Sequence, residues 1–148
     1  MLKRSARRAA HLHVRERMPY LVAHEDVEFE IPDSWWASAG AQGFVPQGPA
    51  FVASSSPEWP TTLVPLADVE APRRTPGVIG LNEDCTVSVL RALRSAAPLP
   101  PIEVHEPPER KHCKFRVRDG YHRYYASVAA GYECLPVSVR PYFDFSAL

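Results

Sequence analysis

Five consecutive residues, Asp119-Gly120-Tyr121-His122-Arg123, concentrate the chemistry of this sequence. A glycine turns the chain out of the alternating run Phe115-Arg116-Val117-Arg118, and a helical segment follows with an imidazole and a guanidinium in its first turn. A helix leaves the N–H groups of its first turn without internal acceptors, and its dipole makes that end a seat for an anion. A guanidinium grips two phosphate oxygens at once, and His122 offers a further directed donor. Gly120 would let a ligand approach the backbone. The same residues also admit a structural reading, in which Arg123 pairs with an acid such as Glu103 or Asp119 and His122 is a satisfied polar group. Sequence spacing leaves both open.

The elements that must position these residues follow from periodicity. Val27-Glu28-Phe29-Glu30-Ile31 alternates as a half-buried strand ended by Pro32. Asp33 to Gly40 predicts a short helix with Asp33 or Ser34 as N-cap, Gly40 as its stop, one of Trp35 and Trp36 packed and the other covering a loop. Residues 41–60 have loop composition, and a boundary falls there between an arm, residues 1–60, and a core, residues 61–148. Thr61 to Leu66 predicts a strand. Ala71 to Gly77 predicts a rigid loop carrying Arg73 and Arg74. Asn82 predicts an N-cap, with Glu83 and Asp84 suited to the dipole, for a helix over 83–97 whose buried face carries Cys85, Val89, Leu93 and Ala96, flanked by Leu90 and Ala97. Ile102-Glu103-Val104 and Phe115 to Arg118 predict a hairpin across the charged turn Glu106 to Lys111. A helix over 122–130 with Gly131 as C-cap, then a strand Leu135 to Val139, complete the core. The aromatic tail Tyr142 to Phe145 is expected to fold back. The fold class is therefore α+β, a mixed sheet with a few short helices and an irregular N-terminal arm.

Composition narrows the function. Six of the 17 Lys and Arg lie in residues 1–17, where Glu16 is the one acid; the remainder holds 11 basic against 16 acidic residues, a net of −5. An acidic body argues against broad nucleic-acid binding. The basic start reads as a solvated tail, short helix or disordered, and Met18 as an alternative start. Three cysteines, without C-x-x-C spacing, suit a reducing cytoplasm, and no apolar run or signal-peptide core directs the chain to a membrane. The spacing of His105, His112, Cys113 and Cys134 fits no closed zinc site, and no metal ligand is assigned.

Taken in order, Pro100-Pro101-Ile102-Glu103-Val104, the hairpin, Asp119-Gly120-Tyr121-His122-Arg123, a short Ala-rich helix, Gly131 and Leu135-Pro136-Val137 resemble the ParB/sulfiredoxin superfamily over residues 61–141. Sulfiredoxins carry Gly-Cys-His-Arg at this turn; Tyr121 replaces the reactive cysteine, so sulfinic-acid repair is not expected. ParB partition proteins carry Gly-Glu-Arg-Arg and bind CTP; Arg123 matches, Tyr121 and His122 depart, and no room remains for a DNA-reading domain. Free-serine kinases of the superfamily carry Asp-Gly-His-His-Arg, from which only Tyr121 departs.

The resemblance implies a nucleotide (ATP, ADP or CTP, with Mg²⁺) whose phosphates sit on Gly120, Tyr121, His122 and Arg123. Arg73 and Arg74 lie in the loop where relatives bring further phosphate-binding residues. Asp119 and Glu70 are the candidate bases or Mg²⁺ ligands, against plain surface or capping roles. Tyr121, Tyr124 and Tyr125 either stack a base or pack the helix. The expectation is a nucleotide-binding domain, with NTP hydrolysis or phosphoryl transfer to a small acceptor as its reaction if it is an enzyme. The alternative is a non-enzymatic protein- or nucleic-acid-interaction module, with Trp35, Trp36 and the aromatic tail as the contact surface.

Overall fold

A computed structural model describes residues 19–74, 79–109 and 113–142. The basic N-terminal segment, Thr75 to Gly77, the tip of the charged turn with His112, and the tail beyond Tyr142 lie outside the described residues.

Two strands, β1 (Tyr20–Val22) and β2 (Val27–Phe29), pair antiparallel in a small hairpin. The alternation that predicts β2 holds: Val27 and Phe29 are buried, Glu28 is exposed. Helix α1 (Asp33–Ser38) follows. Its N-cap is Pro32, without a side-chain cap bond, in place of Asp33 or Ser34. Gly40 ends it as expected, at φ +67°, its N–H bonded to Ala37 O. Trp36 is buried and Trp35 partly so.

The main sheet is mixed and five-stranded, in the order β3-β7-β5-β6-β4. Its strands are β3 (Thr62–Pro65), β4 (Val69–Glu70), β5 (Ile102–His105), β6 (Phe115–Asp119) and β7 (Cys134–Val139). β5 and β6 form the expected antiparallel hairpin, β7 runs parallel to β5, and the two-residue β4 runs parallel to β6. The sequence reading missed β1 and β4; elements this short lack a run long enough to show a period.

Helix α2 (Glu83–Ser95) is capped by Asn82, whose Oδ1 accepts from Cys85 N at 2.9 Å. Its buried face is Thr86, Val87, Leu90 and Leu93, about one residue round from the expected face, and Cys85 is exposed. Thr86 looks polar but tolerates burial because its hydroxyl donates to Asn82 O at 2.7 Å.

Helix α3 (Tyr121–Ala130) joins β6 to β7 and ends on Gly131 at φ +98°. Every residue from Tyr124 to Ala130 is buried, as is Tyr121. A helix apolar on all sides belongs inside the core. It packs on α2 and on the β1–β2 hairpin, where the Phe29 ring meets Tyr125 edge-on at 4.9 Å. The described part of the arm thus shares one hydrophobic core with the described residues from Val64 to Val137. It is tied down elsewhere by the Arg140 guanidinium over the Trp59 ring, 4.5 Å from its centroid, and by a bridge between Ala53 and Leu99.

Two phenols inside this core need acceptors. The Tyr124 hydroxyl donates to Val69 O at 3.3 Å and the Tyr125 hydroxyl to Pro72 O at 2.6 Å. Burial pushes both well above the ordinary tyrosine pKa near 10. A raised folded pKa means the folded state holds its proton longer than the unfolded chain. The associated stability is complete below about pH 10 and is lost as pH rises beyond it, by up to about 1.4 kcal/mol per pH unit for each group. Urea unfolding between pH 8 and 11 should show this fall, and Tyr124→Phe should make it shallower.

Candidate functional site

The turn at residues 119–121 brings the candidate residues to one end of α3. Gly120 is the N-cap at φ +126°, a conformation that L side chains rarely adopt. A Cβ there would lie 3.0 Å from both Ile102 Cγ1 and Cγ2 and 3.2 Å from Arg123 Nη2. The glycine is therefore required by the turn and by close packing on β5.

Arg123 folds back under the same turn. Its Nη2 donates to Pro101 O at 3.4 Å and lies 3.9 Å from Asp119 Oδ2. Its Nε is buried without an acceptor among the described residues. Burial draws the guanidinium pKa down, and the charges of Asp119 and Glu103 oppose that shift. Arg123 thus has structural contacts and one donor to spare.

His122 is anchored differently. Its Nε2 accepts the Asn82 N–H at 3.0 Å, which ties the start of α3 to the start of α2. An accepting Nε2 leaves the proton on Nδ1, so the ring is neutral and has one donor to offer. Burial, then the charge on Arg74, lower its pKa.

The two helix starts differ in electrostatics. α2 carries Glu83 and Asp84 in its first turn and so compensates its own dipole; α3 has no acid in its first turn. Around α3 gather cations: the Arg74 guanidinium lies 4.1 Å from the Tyr121 ring centroid, and Arg73 is near enough to pull down the Tyr125 pKa against its burial. Tyr121 is buried under Arg74, with Tyr125 and His122 edge-on to its ring. Its hydroxyl has no hydrogen-bond partner among the described residues.

The two candidate carboxylates have different surroundings. Asp119 ends β6 with its side chain 71 % exposed, beside Arg123. Glu70 sits opposite Arg116 in the β4–β6 register and its Oε1 accepts from Arg116 Nε at 3.0 Å. Asp119 is three residues further along β6, roughly 10 Å by strand rise. The structure therefore groups Asp119, Gly120, Tyr121, His122, Arg123 and Arg74 at one helix end, with Arg73 beside them and Glu70 apart in an ion pair.

No family model and no curated protein matches the chain. Among solved structures, it is similar to the C-terminally truncated chromosome-partitioning protein ParB from Caulobacter crescentus, complexed with CTP-γ-S. The identity is 24 % and the TM-score 0.44, covering 60 % of this chain and 48 % of that one. The chain thus spans about half the length of that structure.

Other residues singled out from the sequence lie elsewhere. The His105 ring packs against Tyr142 at 5.1 Å, and Cys134 starts β7, partly buried. Among the described residues no helix is long and apolar enough to cross a membrane. The sequence marks Asn82 only as a cap; its second role, as donor to His122, has no signal there because the pair lies 40 residues apart.

Two outcomes follow. Gly120→Ala forces a strained φ and pushes a methyl into Ile102, so it should destabilise the fold by about 1–3 kcal/mol in urea unfolding. The depressed pKa of His122 means that below about pH 6.5 the unfolded chain takes up a proton the folded one resists. Stability present above that pH is lost as pH falls through the folded value, and the Asn82 N–H loses its acceptor. Unfolding midpoints between pH 7 and 5 should fall less steeply for His122→Gln than for the wild type.

Proposed function

We propose that the chain binds the phosphates of a nucleotide at the N-terminus of α3. The observation that carries this reading is a pair of buried donors without acceptors among the described residues, Arg123 Nε and the Tyr121 hydroxyl, at a helix start whose first turn holds no acid. A buried donor left unpaired costs about 1–3 kcal/mol, and an anion on this helix end would recover part of that cost. The exposed side chains Arg73 and Arg74 add positive charge on the loop above. The likeness of Asp119-Gly120-Tyr121-His122-Arg123 to nucleotide-binding turns of the ParB/sulfiredoxin superfamily supports a nucleotide over a simple anion.

Within this reading the neutral His122 donates through Nδ1, and the N–H groups of Tyr121 to Arg123 supply the phosphate cradle. Asp119, exposed beside Arg123, is the acid placed to hold Mg²⁺ or to accept a proton in hydrolysis or phosphoryl transfer. Glu70 serves neither role unless it releases Arg116. Binding is the primary claim, and reaction is the step built on it.

Calorimetric titration of the chain with ATP, ADP and CTP in Mg²⁺ tests it. Arg123→Ala disturbs the contact to Pro101, so Arg74→Ala is the cleaner probe: it removes an exposed charge and leaves the core intact. Losing a charged contact should weaken binding by about 1.5–3 kcal/mol. Absence of heat with all three nucleotides, from folded protein, sinks the proposal.

A further inference from the structure

The turn between β1 and β2 brings His24 and Glu25 against Cys113, which precedes β6. A ring nitrogen of His24, a carboxylate oxygen of Glu25 and the Cys113 sulfur all lie within 4.8 Å of one another. The Cys113 thiol donates to Glu25 Oε2 at 3.1 Å, and His24 Nε2 lies 3.9 Å from the same oxygen. The Glu25 side chain is 8 % exposed and that of His24 19 %, and Cys113 is buried. His24 Nε2–H donates to Val69 O at 2.8 Å, which orients the ring and leaves Nδ1 as the nitrogen with a free lone pair, and Ala67 O lies 3.9 Å from the sulfur. Buried Val22 and Val27 flank His24 and Glu25 along the chain, and buried Phe115 follows Cys113 by two residues.

We propose that His24, Glu25 and Cys113 form a transition-metal site, with zinc the ion its donors select. Three arguments converge. Donor type comes first. Zinc takes thiolate, imidazole and carboxylate together, whereas Mg²⁺ and Ca²⁺ take oxygen donors. Geometry is second. Metal bonds of about 2.0–2.3 Å in a tetrahedron hold ligand atoms about 3.3–3.8 Å apart. The sulfur–oxygen separation of 3.1 Å is close to that span and the three donors lie within 4.8 Å of one another, so side-chain movements of about 1 Å close the site.

Charge is third. A divalent ion with one thiolate and one carboxylate is neutral overall, which lowers the cost of holding charge in a buried place. On binding, the Cys113 proton leaves to solvent and the sulfur–metal bond replaces the thiol–carboxylate hydrogen bond. The fourth position falls to water, the arrangement of three protein ligands with one open site. The ion would staple the β1–β2 hairpin to the β4–β6 edge of the main sheet, linking residues 88 apart in sequence. It is independent of the nucleotide reading, because none of its ligands belongs to the start of α3.

The full chain, stripped with chelator, is titrated with Zn²⁺ by calorimetry and with Co²⁺ by absorbance. One equivalent of zinc should bind, and cobalt should give a sulfur-to-metal charge-transfer band. Cys113→Ser should abolish that band. Glu25→Gln should weaken zinc binding by more than the roughly 10–100-fold that loss of an outer-shell partner costs. No saturable one-to-one binding by folded wild type, or a charge-transfer band retained in Cys113→Ser, overturns the proposal. Should Cys113→Ser not fold, wild type decides alone. Zn²⁺ must then slow alkylation of Cys113, read by peptide mass spectrometry, relative to the exposed Cys85; equal slowing of both, or none, overturns it.

Discussion

Helix α3 is the piece on which the rest of this molecule is assembled, because it is buried on nearly every side. A buried helix must find partners for its polar groups inside the protein. Here Tyr124 and Tyr125 reach the backbone at Val69 and Pro72, so the burial of α3 also fixes β4 and the loop that carries Arg73 and Arg74. The arm is recruited by the same surface. Phe29 meets Tyr125, and His24 shares the Val69 carbonyl with Tyr124. Without residues 20–36 this side of α3 would face water.

The start of the helix cannot be treated in the same way. Its first N–H groups have no intrahelical acceptors, and the strained turn at Gly120 closes the side toward β5 with Ile102 and Arg123. What remains is an end with positive charge around it and no carboxylate in its first turn. The neighbouring α2 solves the same problem internally with Asn82, Glu83 and Asp84. The contrast between two adjacent helix starts, one self-compensated and one not, is the physical basis for proposing an anion site at α3 rather than α2. His122 links them: while it accepts the Asn82 N–H it must stay neutral, and the nearby Arg74 helps keep it so.

Arg123 illustrates how a functional and a structural reading coexist in one side chain. Nη2 serves the fold, through Pro101 and Asp119, and Nε is left over. Glu70 shows the opposite case. A carboxylate close to the site along the chain fold is committed to Arg116 at the sheet edge, and its distance from the helix end is set by strand register.

The sequence by itself determined what depends on neighbours along the chain. The glycine turn into α3, its stop at Gly131, the cap at Asn82 and the β5–β6 hairpin rest on local backbone preference and short periods, and each appears where expected. So does the grouping of Asp119 to Arg123, since consecutive residues at a helix start must share one end. The tertiary structure decided which face α2 buries, because the Thr86 hydroxyl is satisfied within its own helix and needs no water. It also decided the pairings that join distant segments: Arg74 over Tyr121, His122 with Asn82, Glu70 with Arg116, and His24 and Glu25 with Cys113. These arise from strand order and from the packing around α3, and no local spacing encodes them.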